Sequence, residues 1–379
     1  MALEVKILIT ANSAWNLFNF RSSLITSLIS AGHEVVSCSP KDAHVHKLQQ
    51  LGCDFVELSM DSRGVNPVRD LWTLVQFTFL IYLNRPDVLL SFTVKPNIYG
   101  SIASKFLGVE VINNISGLGF AFIEEGWITK VVKFLYKISL FSSKKVFFQN
   151  KDDLNLFVAE SIVKLSQADL IPGSGVNLHR FSSEKIPCSQ YSGPLSKKPF
   201  CFLLVARMLK DKGIEEFVQA ATQLHSKFPL VEFALLGPLD AQNPTAITKS
   251  QIKAWLNQGV VSYWGNSSDV RGEIARADCV VLPSYREGAP RSLIEAAAMG
   301  RPLIATDVPG CTEVVRDGYN GRLCKPRDAN DLALKMSEVL ELSQETFDEW
   351  GINSRSLAEQ NFDEQFVIKK YLQAIDLLR

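Results

Sequence analysis

The chain has 379 residues, 46% hydrophobic and 21% charged, the proportions of a globular protein with enough apolar residues for two cores and not of a disordered chain. Forty basic residues cancel forty acidic ones, so no overall field recruits nucleic acid, and attraction to an anionic membrane must come from a local patch. Seven cysteines, at 38, 53, 188, 201, 279, 311 and 324, are scattered without a C-x-x-C pair and read as reduced core thiols of a cytoplasmic protein.

The opening M-A-L-E-V-K-I-L-I-T runs into a strand without a basic region or cleavage site, so no secretion signal is expected. No apolar stretch approaches the ~20 residues of a spanning helix. Leu71–Leu83 comes nearest and is interrupted by Thr73, Gln76 and Thr78. Strands are expected at Val5–Thr10, Glu34–Ser37, Phe55–Leu58, Val88–Ser91, Val109–Asn113 and Lys145–Gln149, with helical stretches between most of them. That rhythm predicts a parallel sheet covered by helices on both faces, with ligands outside the carboxyl ends of the strands. The loops in question follow Thr10, Ser91 and Asn113.

The first of these, A-N-S-A-W-N-L-F-N-F-R, lacks the closely spaced glycines of a dinucleotide binder. Asn16 and Asn19, with Trp15 and Phe18, suit a sugar chain and Arg21 suits a phosphate, or the segment is simply packed. Lys95 puts a cation at a strand end. Gly117 and Gly119 permit close backbone approach to a ligand, or a plain turn.

From Trp127 to Lys151 six lysines occur without an acid until Asp152. Lys130, Lys133 and Lys137 fall at i, i+3 and i+7, one stripe of a helix, and Val131, Val132, Phe134, Leu135 and Ile138 supply an apolar remainder. A basic amphipathic helix reads as membrane-surface; it equally reads as a core helix with a solvated lysine face. Both hold if the lysines touch anionic lipid while the apolar side packs inward. The five histidines, at 33, 44, 46, 179 and 225, show no metal-ligand spacing. Between Ile171 and Pro199 the rhythm lapses into Gly, Pro and Ser, as in a linker.

A second alternating pattern opens with Phe200–Ala206, followed by R-M-L-K-D-K-G and a helix from Ile214 to Phe228. Arg207 stands at a strand's carboxyl end and Lys212 at the next helix start, so two cations can converge on a diphosphate. Further strands are expected at Val231–Leu236, Val260–Trp264 and Cys279–Leu282, and Gly237 and Gly265 end two of them where a base can lie. After Pro283 the stretch S-Y-R-E-G-A-P-R-S-L-I-E-A-A-A-M-G predicts a turn at Glu287-Gly288-Ala289-Pro290 and a helix that stops at Gly300. The first turn of such a helix cradles a phosphate or a hydroxyl. Glu287 and Glu295 bracket that cradle; they would repel a phosphate unless they face hydroxyl-rich parts, a hexose and a ribose, which describes a nucleotide sugar. An ordinary surface loop with an amphipathic helix is the other reading. Helices Ala329–Leu342, Glu345–Gln360 and Glu364–Leu378 follow.

The run E-G-x-P-x-x-x-x-E-A-x-A-x-G-x-P-x-I-A-T-x-x-x-G resembles the donor-site signature of the family-4 retaining glycosyltransferases, and R-x-x-x-x-K-G resembles a second element of that family. The resemblance implies an α/β fold of two Rossmann-like doubly wound parallel-sheet domains facing a cleft (GT-B). Residues 1–172 would bind the acceptor, 173–198 would form a hinge with Gly173-Ser174-Gly175-Val176-Asn177 as a variant of N-G-V-D, and 199–362 would bind the nucleotide sugar. Residues 363–379 would return as a helix to the first domain. It implies Glu287 near the donor sugar hydroxyls, Glu295 on the ribose, and Gly288, Ala289 and Pro290 in the donor loop. Glu287, Arg207 and Lys212 form the expected catalytic set, with no D-x-D pair, no metal and no cofactor.

One departure stands out: residues 112–122 lack the histidine that many members carry, which leaves Ser116, Asn114 or backbone groups as candidates for its place. The wording R-E-G-x-P-R-S-L-I-E-A-x-A-M-G-R-P resembles bacterial enzymes that extend lipid-linked oligosaccharides for O-antigen or capsule. It implies a UDP-linked hexose or N-acetylhexosamine donor, a polyprenyl-diphosphate-linked acceptor met by Asn16, Asn19, Arg21, Lys95 and Gly117, and work at the inner face of the cytoplasmic membrane. A sugar-nucleotide epimerase of the same fold and a non-catalytic membrane-surface sugar-binding protein are the alternatives. A nicotinamide dehydrogenase would need the glycine-rich first loop.

Overall fold

Near-continuous apolar runs such as Ile7-Leu8-Ile9 and Val88-Leu89-Leu90 are the mark of strands buried on both faces of a parallel sheet, and these six residues are all fully buried. The computed structural model describes residues 4–61, 64, 66–118, 126–182, 199–239, 243 and 245–378. The chain forms two units, Met1–Ser174 with Glu364–Arg379, and Gly175–Asp363.

In the first unit β1 (Lys6–Thr10), β2 (Glu34–Ser39), β3 (Asp54–Glu57), β4 (Val88–Phe92), β5 (Glu110–Ile115), β6 (Lys145–Phe148) and β7 (Ala168–Leu170) pair in the order β3-β2-β1-β4-β5-β6-β7. Every pairing is parallel, and the order reverses between β1 and β4, where Thr10 registers with Ser91. The helices are α1 (Ala14–Ser30), α2 (Val45–Gln50), α3 (Pro67–Asn84), α4 (Ser101–Leu107), α5 (Trp127–Leu140) and α6 (Lys151–Ala159). A π-turn at Pro96–Gly100 leads into α4.

The second unit holds β8 (Cys201–Val205), α7 (Ile214–His225), β9 (Glu232–Leu236), α8 (Lys249–Asn257), β10 (Ser262–Tyr263), α9 (Arg271–Arg276), β11 (Cys279–Leu282), α10 (Arg291–Ala298), β12 (Leu303–Thr306), β13 (Gly321–Cys324), α11 (Ala329–Leu340) and α12 (Gln344–Asn361). Its strands run β10-β9-β8-β11-β12-β13, all parallel, and reverse between β8 and β11. Two Rossmann-like doubly wound sheets are therefore present, as expected. The last helix, α13 (Glu364–Asp376), belongs to the first unit: Tyr371 is fully buried against Phe92 and Phe147, and Lys370 Nζ donates to Asp169 at 2.8 Å.

Three findings differ from the sequence reading. The segment after β1 is not a loop: Ser13 accepts the Asn16 N–H at 3.1 Å and caps α1, so Asn16, Asn19 and Arg21 sit on a helix. Strands β7, β12 and β13, only three or four residues long, were not anticipated. Val176 and Phe181, inside the stretch read as linker, are buried in the second unit's core, where Arg355 Nη1 donates to the carbonyls of Phe181 (2.7 Å) and Ala298 (2.6 Å). Residues 183–198 of that stretch lie outside the described residues.

Candidate active site

Where a doubly wound sheet reverses, the loops leaving the two central strands part and open a crevice. In the second unit those loops follow β8 and β11, and they carry Arg207, Lys212 and Glu287. Arg207 is exposed two residues beyond β8. Lys212 ends a 3₁₀ turn, Lys210–Lys212, and its Nζ donates to Glu287 Oε1 at 2.5 Å. Lysine and glutamate stand 75 positions apart in sequence, and their side chains are only 16% and 15% exposed. The backbones are tied as well: Asp211 O accepts from Tyr285 N (2.9 Å) and from Ser284 Oγ (3.1 Å). Asp211 Oδ1 in turn accepts from Thr245 Oγ1 at 3.0 Å, and Tyr285 OH donates to Glu216 Oε1 at 2.6 Å.

A third loop, after β12, supports Glu287 from behind. Glu287 N donates to Pro309 O at 3.3 Å, and Gly310 (φ +83°) lies so close that a Cβ there would come within 2.6 Å of the carbonyl oxygens of Glu287 and Gly288. Only glycine fits that position. Cys311 is buried next door, and burial, with the Glu287 carboxylate adding to it, holds its thiol well above the ordinary range.

Helix α10 begins at Arg291 with Pro290 at its N-cap and no capping side chain, unlike α11 and α12, which Asp328 and Ser343 cap. Its first turn has no acid and instead bears Arg291, a cation against the positive end of the helix dipole. That arrangement is unfavourable for a bare helix and favourable for one that receives an anion. Arg291 Nε donates to Glu295 Oε1 at 2.6 Å, and Glu295 is buried one turn into the helix. Gly237 (φ +145°) closes the β9 end: its N–H donates to Gly265 O at 2.8 Å and a Cβ would meet Ala206 O at 1.8 Å, just before Arg207. Tyr263 OH donates to Gly237 O at 2.8 Å. Gly288, Ala289 and Pro290 form the turn between Glu287 and α10. Thus Lys212 and Glu287 are in direct contact, Glu295 pairs with Arg291, and Gly237 meets Gly265. Asp211, Tyr285, Arg291 and Gly310 were not singled out from sequence, although Gly310 closes the quoted signature.

The expected acceptor residues fall at the corresponding end of the first unit's sheet or on α1. Asn19 Nδ2 donates to Trp15 O at 2.9 Å along α1, and Arg21 is buried with its guanidinium 4.2 Å from the Phe92 ring centroid. Lys95 is already paired with Asp70, Nζ to Oδ1 at 2.6 Å. Thr93, just past β4, adopts φ +69°, and Gly117, past β5, φ +111°. Asn114 is fully buried and engaged, donating to Tyr371 OH (3.0 Å) and accepting from Gln149 (3.1 Å); Ser116 is exposed. On α5, Lys130 and Lys137 are exposed, whereas Lys133 is half-buried and pairs with Glu160 at 2.5 Å. Val131, Phe134 and Ile138 face outward with the lysines rather than inward.

The family described as Glycosyl transferase 4-like matches residues 6–150, and that described as Glycosyl transferases group 1 matches residues 190–357. The chain is 29% identical to the N,N'-diacetylbacillosaminyl-diphospho-undecaprenol alpha-1,3-N-acetylgalactosaminyltransferase of Campylobacter jejuni, over 95% of this chain and 96% of that one. It is 24% identical to the UDP-Gal:alpha-D-GlcNAc-diphosphoundecaprenol alpha-1,3-galactosyltransferase of Escherichia coli, over 70% and 69%. Among solved structures, Anabaena HepE in complex with UDP and glucose superposes with a TM-score of 0.77 at 16% identity, covering 98% of this chain and all of that one.

Proposed function

We propose, on the premise that this chain is a glycosyltransferase with a 4-like domain and a group 1 domain, that it moves a hexose or N-acetylhexosamine from a UDP-sugar to a polyprenyl-diphosphate-linked saccharide. The observation that carries the donor half is the Lys212–Glu287 pair at the reversal of the second sheet, beside the uncapped start of α10. The acceptor half draws on the two diphosphoundecaprenol-linked relatives.

Sugar transfer places growing negative charge on the leaving diphosphate, which something positive must stabilise. Arg207, Lys212 and the first turn of α10 supply that charge without a metal. Before the donor arrives, Lys212 and Glu287 neutralise one another and hold each other in the crevice. The diphosphate draws the ammonium away, and the freed carboxylate accepts hydrogen bonds from the sugar hydroxyls. Glu295 takes the ribose hydroxyls, and Gly237 and Gly265 give the base a backbone-lined place. Same-face attack by the acceptor on a tight ion pair then retains the anomeric configuration. The first unit presents the acceptor at the inner face of the cytoplasmic membrane, with Asn16, Asn19, Arg21, Lys95 and Gly117 around it and Lys130 and Lys137 toward the bilayer.

A thermal-shift screen of UDP- and GDP-sugars tests the donor half, because a ligand bound by the native state alone raises the midpoint. A UDP-hexose or UDP-N-acetylhexosamine should raise the parent's midpoint and leave Lys212→Met nearly unmoved. Equal shifts in both proteins, or none with any UDP-sugar, would exclude this site.

A further inference from the structure

Helix α3 is apolar on its outer face as well as its inner one. Its buried face is Thr73, Phe77 and Ile81, while Val68, Trp72, Val75, Phe79 and Tyr82, from 48% to 75% exposed, form a continuous stripe at alternating spacings of four and three, with the exposed Leu71 beside it. The outer face of a surface helix is normally polar. On α5 the outward stripe is Trp127, Val131, Phe134, Ile138 and Phe141, interleaved with Lys130 and Lys137. Between these two helices lies α4, with Phe106 77% exposed. All three cover the same face of the first sheet, since the crossovers β3-α3-β4, β4-α4-β5 and β5-α5-β6 all run in one direction along it and parallel crossovers share one hand. By contrast, among the described residues the second unit exposes large apolar side chains only singly, as at Leu230, Leu334 and Ile352.

We infer that the α3–α4–α5 face is a docking surface for an anionic lipid bilayer, into whose interface the α3 and α5 stripes insert. This rests on the lipid-linked acceptor of the proposed function. Charge selects the occupant: on these helices Asp70 is neutralised by Lys95, Arg69 pairs with Asp61 and Lys133 with Glu160, and the charges beyond those pairs are all positive, Lys105, Lys130 and Lys137. A second copy docked symmetrically would set these lysines against one another. Anionic headgroups meet them, and lysine stems with aromatic rings suit the boundary between headgroup and acyl chain. Lys105 and Lys164 Nζ lie 5.2 and 5.5 Å from the exposed Phe141 ring, a cation beside an apolar anchor. No described helix is long and apolar enough to cross a membrane, so the face lies on the bilayer rather than spanning it. The first turns of α3 and α5 sit at the carboxyl ends of the strands, so a bilayer there brings its lipid headgroups to the end of the sheet where ligands bind.

The test is co-sedimentation with mixed phosphatidylglycerol–phosphatidylethanolamine vesicles, using the full chain and Trp72→Gln/Phe79→Gln, a variant that changes no charge. The variant should bind at least about tenfold more weakly, since two exposed anchors lose their apolar burial. It should keep the parent's melting midpoint and its turnover on a short-chain, water-soluble acceptor. Lys130→Gln/Lys137→Gln should weaken binding too, and high salt should weaken the parent without abolishing it. Unchanged vesicle binding by the α3 variant would overturn the proposal. So would a parent that light scattering shows to be a dimer and the α3 variant a monomer, which would assign the face to a second copy. A parent that binds vesicles through α3 but transfers nothing to lipid-linked saccharide would leave the surface standing and remove the acceptor reading.

Discussion

Replacing Lys212 with Met removes one charge of a close, largely buried pair and keeps most of the side chain's length. Exposed ion pairs contribute about 0–1 kcal/mol, while breaking a fully buried one costs about 3–5 kcal/mol because the other charge is left unpaired. With Lys212 and Glu287 at 16% and 15% exposure the cost falls between, about 1–3 kcal/mol. For a unit of this size that lowers the melting midpoint by roughly 3–9 °C. Glu287→Gln, made in the same background, should recover part of the loss, so the double variant should be about 1–2 kcal/mol more stable than the two single effects predict. Turnover should behave differently. If the ammonium moves to the diphosphate in the reaction, Lys212→Met loses about 10²–10³ in rate and the Gln substitution rescues none of it. Sugar transfer measured by released UDP, with urea denaturation on the same four proteins, separates the two effects. Lys212→Met turnover within about threefold of the parent, ~0.65 kcal/mol of barrier, would mean that the pair is structural alone.

Arg207→Ala should weaken UDP binding by calorimetry at least about tenfold with little change in stability, because the side chain is exposed; unchanged affinity would remove it from the diphosphate site. Gly310→Ala combines the strain of φ +83° with contacts at 2.6 Å to the Glu287 loop, so it should destabilise by about 2 kcal/mol or more and lower turnover. Gly259→Ala, at φ +71° with nothing within 4 Å, should cost only about 1 kcal/mol and leave turnover alone; equal behaviour of the two variants would mean that Gly310 does not brace Glu287. Transfer should persist in excess EDTA, and activity that is lost there and restored by magnesium or manganese would require a metal at the diphosphate.

The two sheets were legible because their strands are buried on both faces, so Ile7-Leu8-Ile9 or Val280-Val281-Leu282 reads as a strand without any partner in view. Strands β7 and β13 were not, being three or four residues long and only partly buried. The start of α1 was hidden by its composition: Asn16 and Asn19 suggest a loop, whereas Ser13 in fact caps a helix whose inner stripe is Ala14, Leu17 and Arg21. On α5 both flanks are apolar, so spacing alone could not tell that Tyr136 and Leu140 turn in while Phe134 and Ile138 turn out. Glu287 and Lys212 could be picked individually from their places after strands. Their contact could not, because it depends on β8 lying beside β11.

Transfer of a sugar to a lipid-linked acceptor can be followed in one assay: purified full chain, radiolabelled UDP-N-acetylgalactosamine or UDP-galactose, and undecaprenyl-diphosphate-linked saccharide, followed by organic extraction and sizing of the released glycan. Label should enter the organic phase on a glycan one sugar longer with the parent and not with Glu287→Gln. Donor consumed with all label left in the aqueous phase, as free sugar or as an epimerised nucleotide sugar, would mean hydrolysis or epimerisation instead of transfer to the lipid.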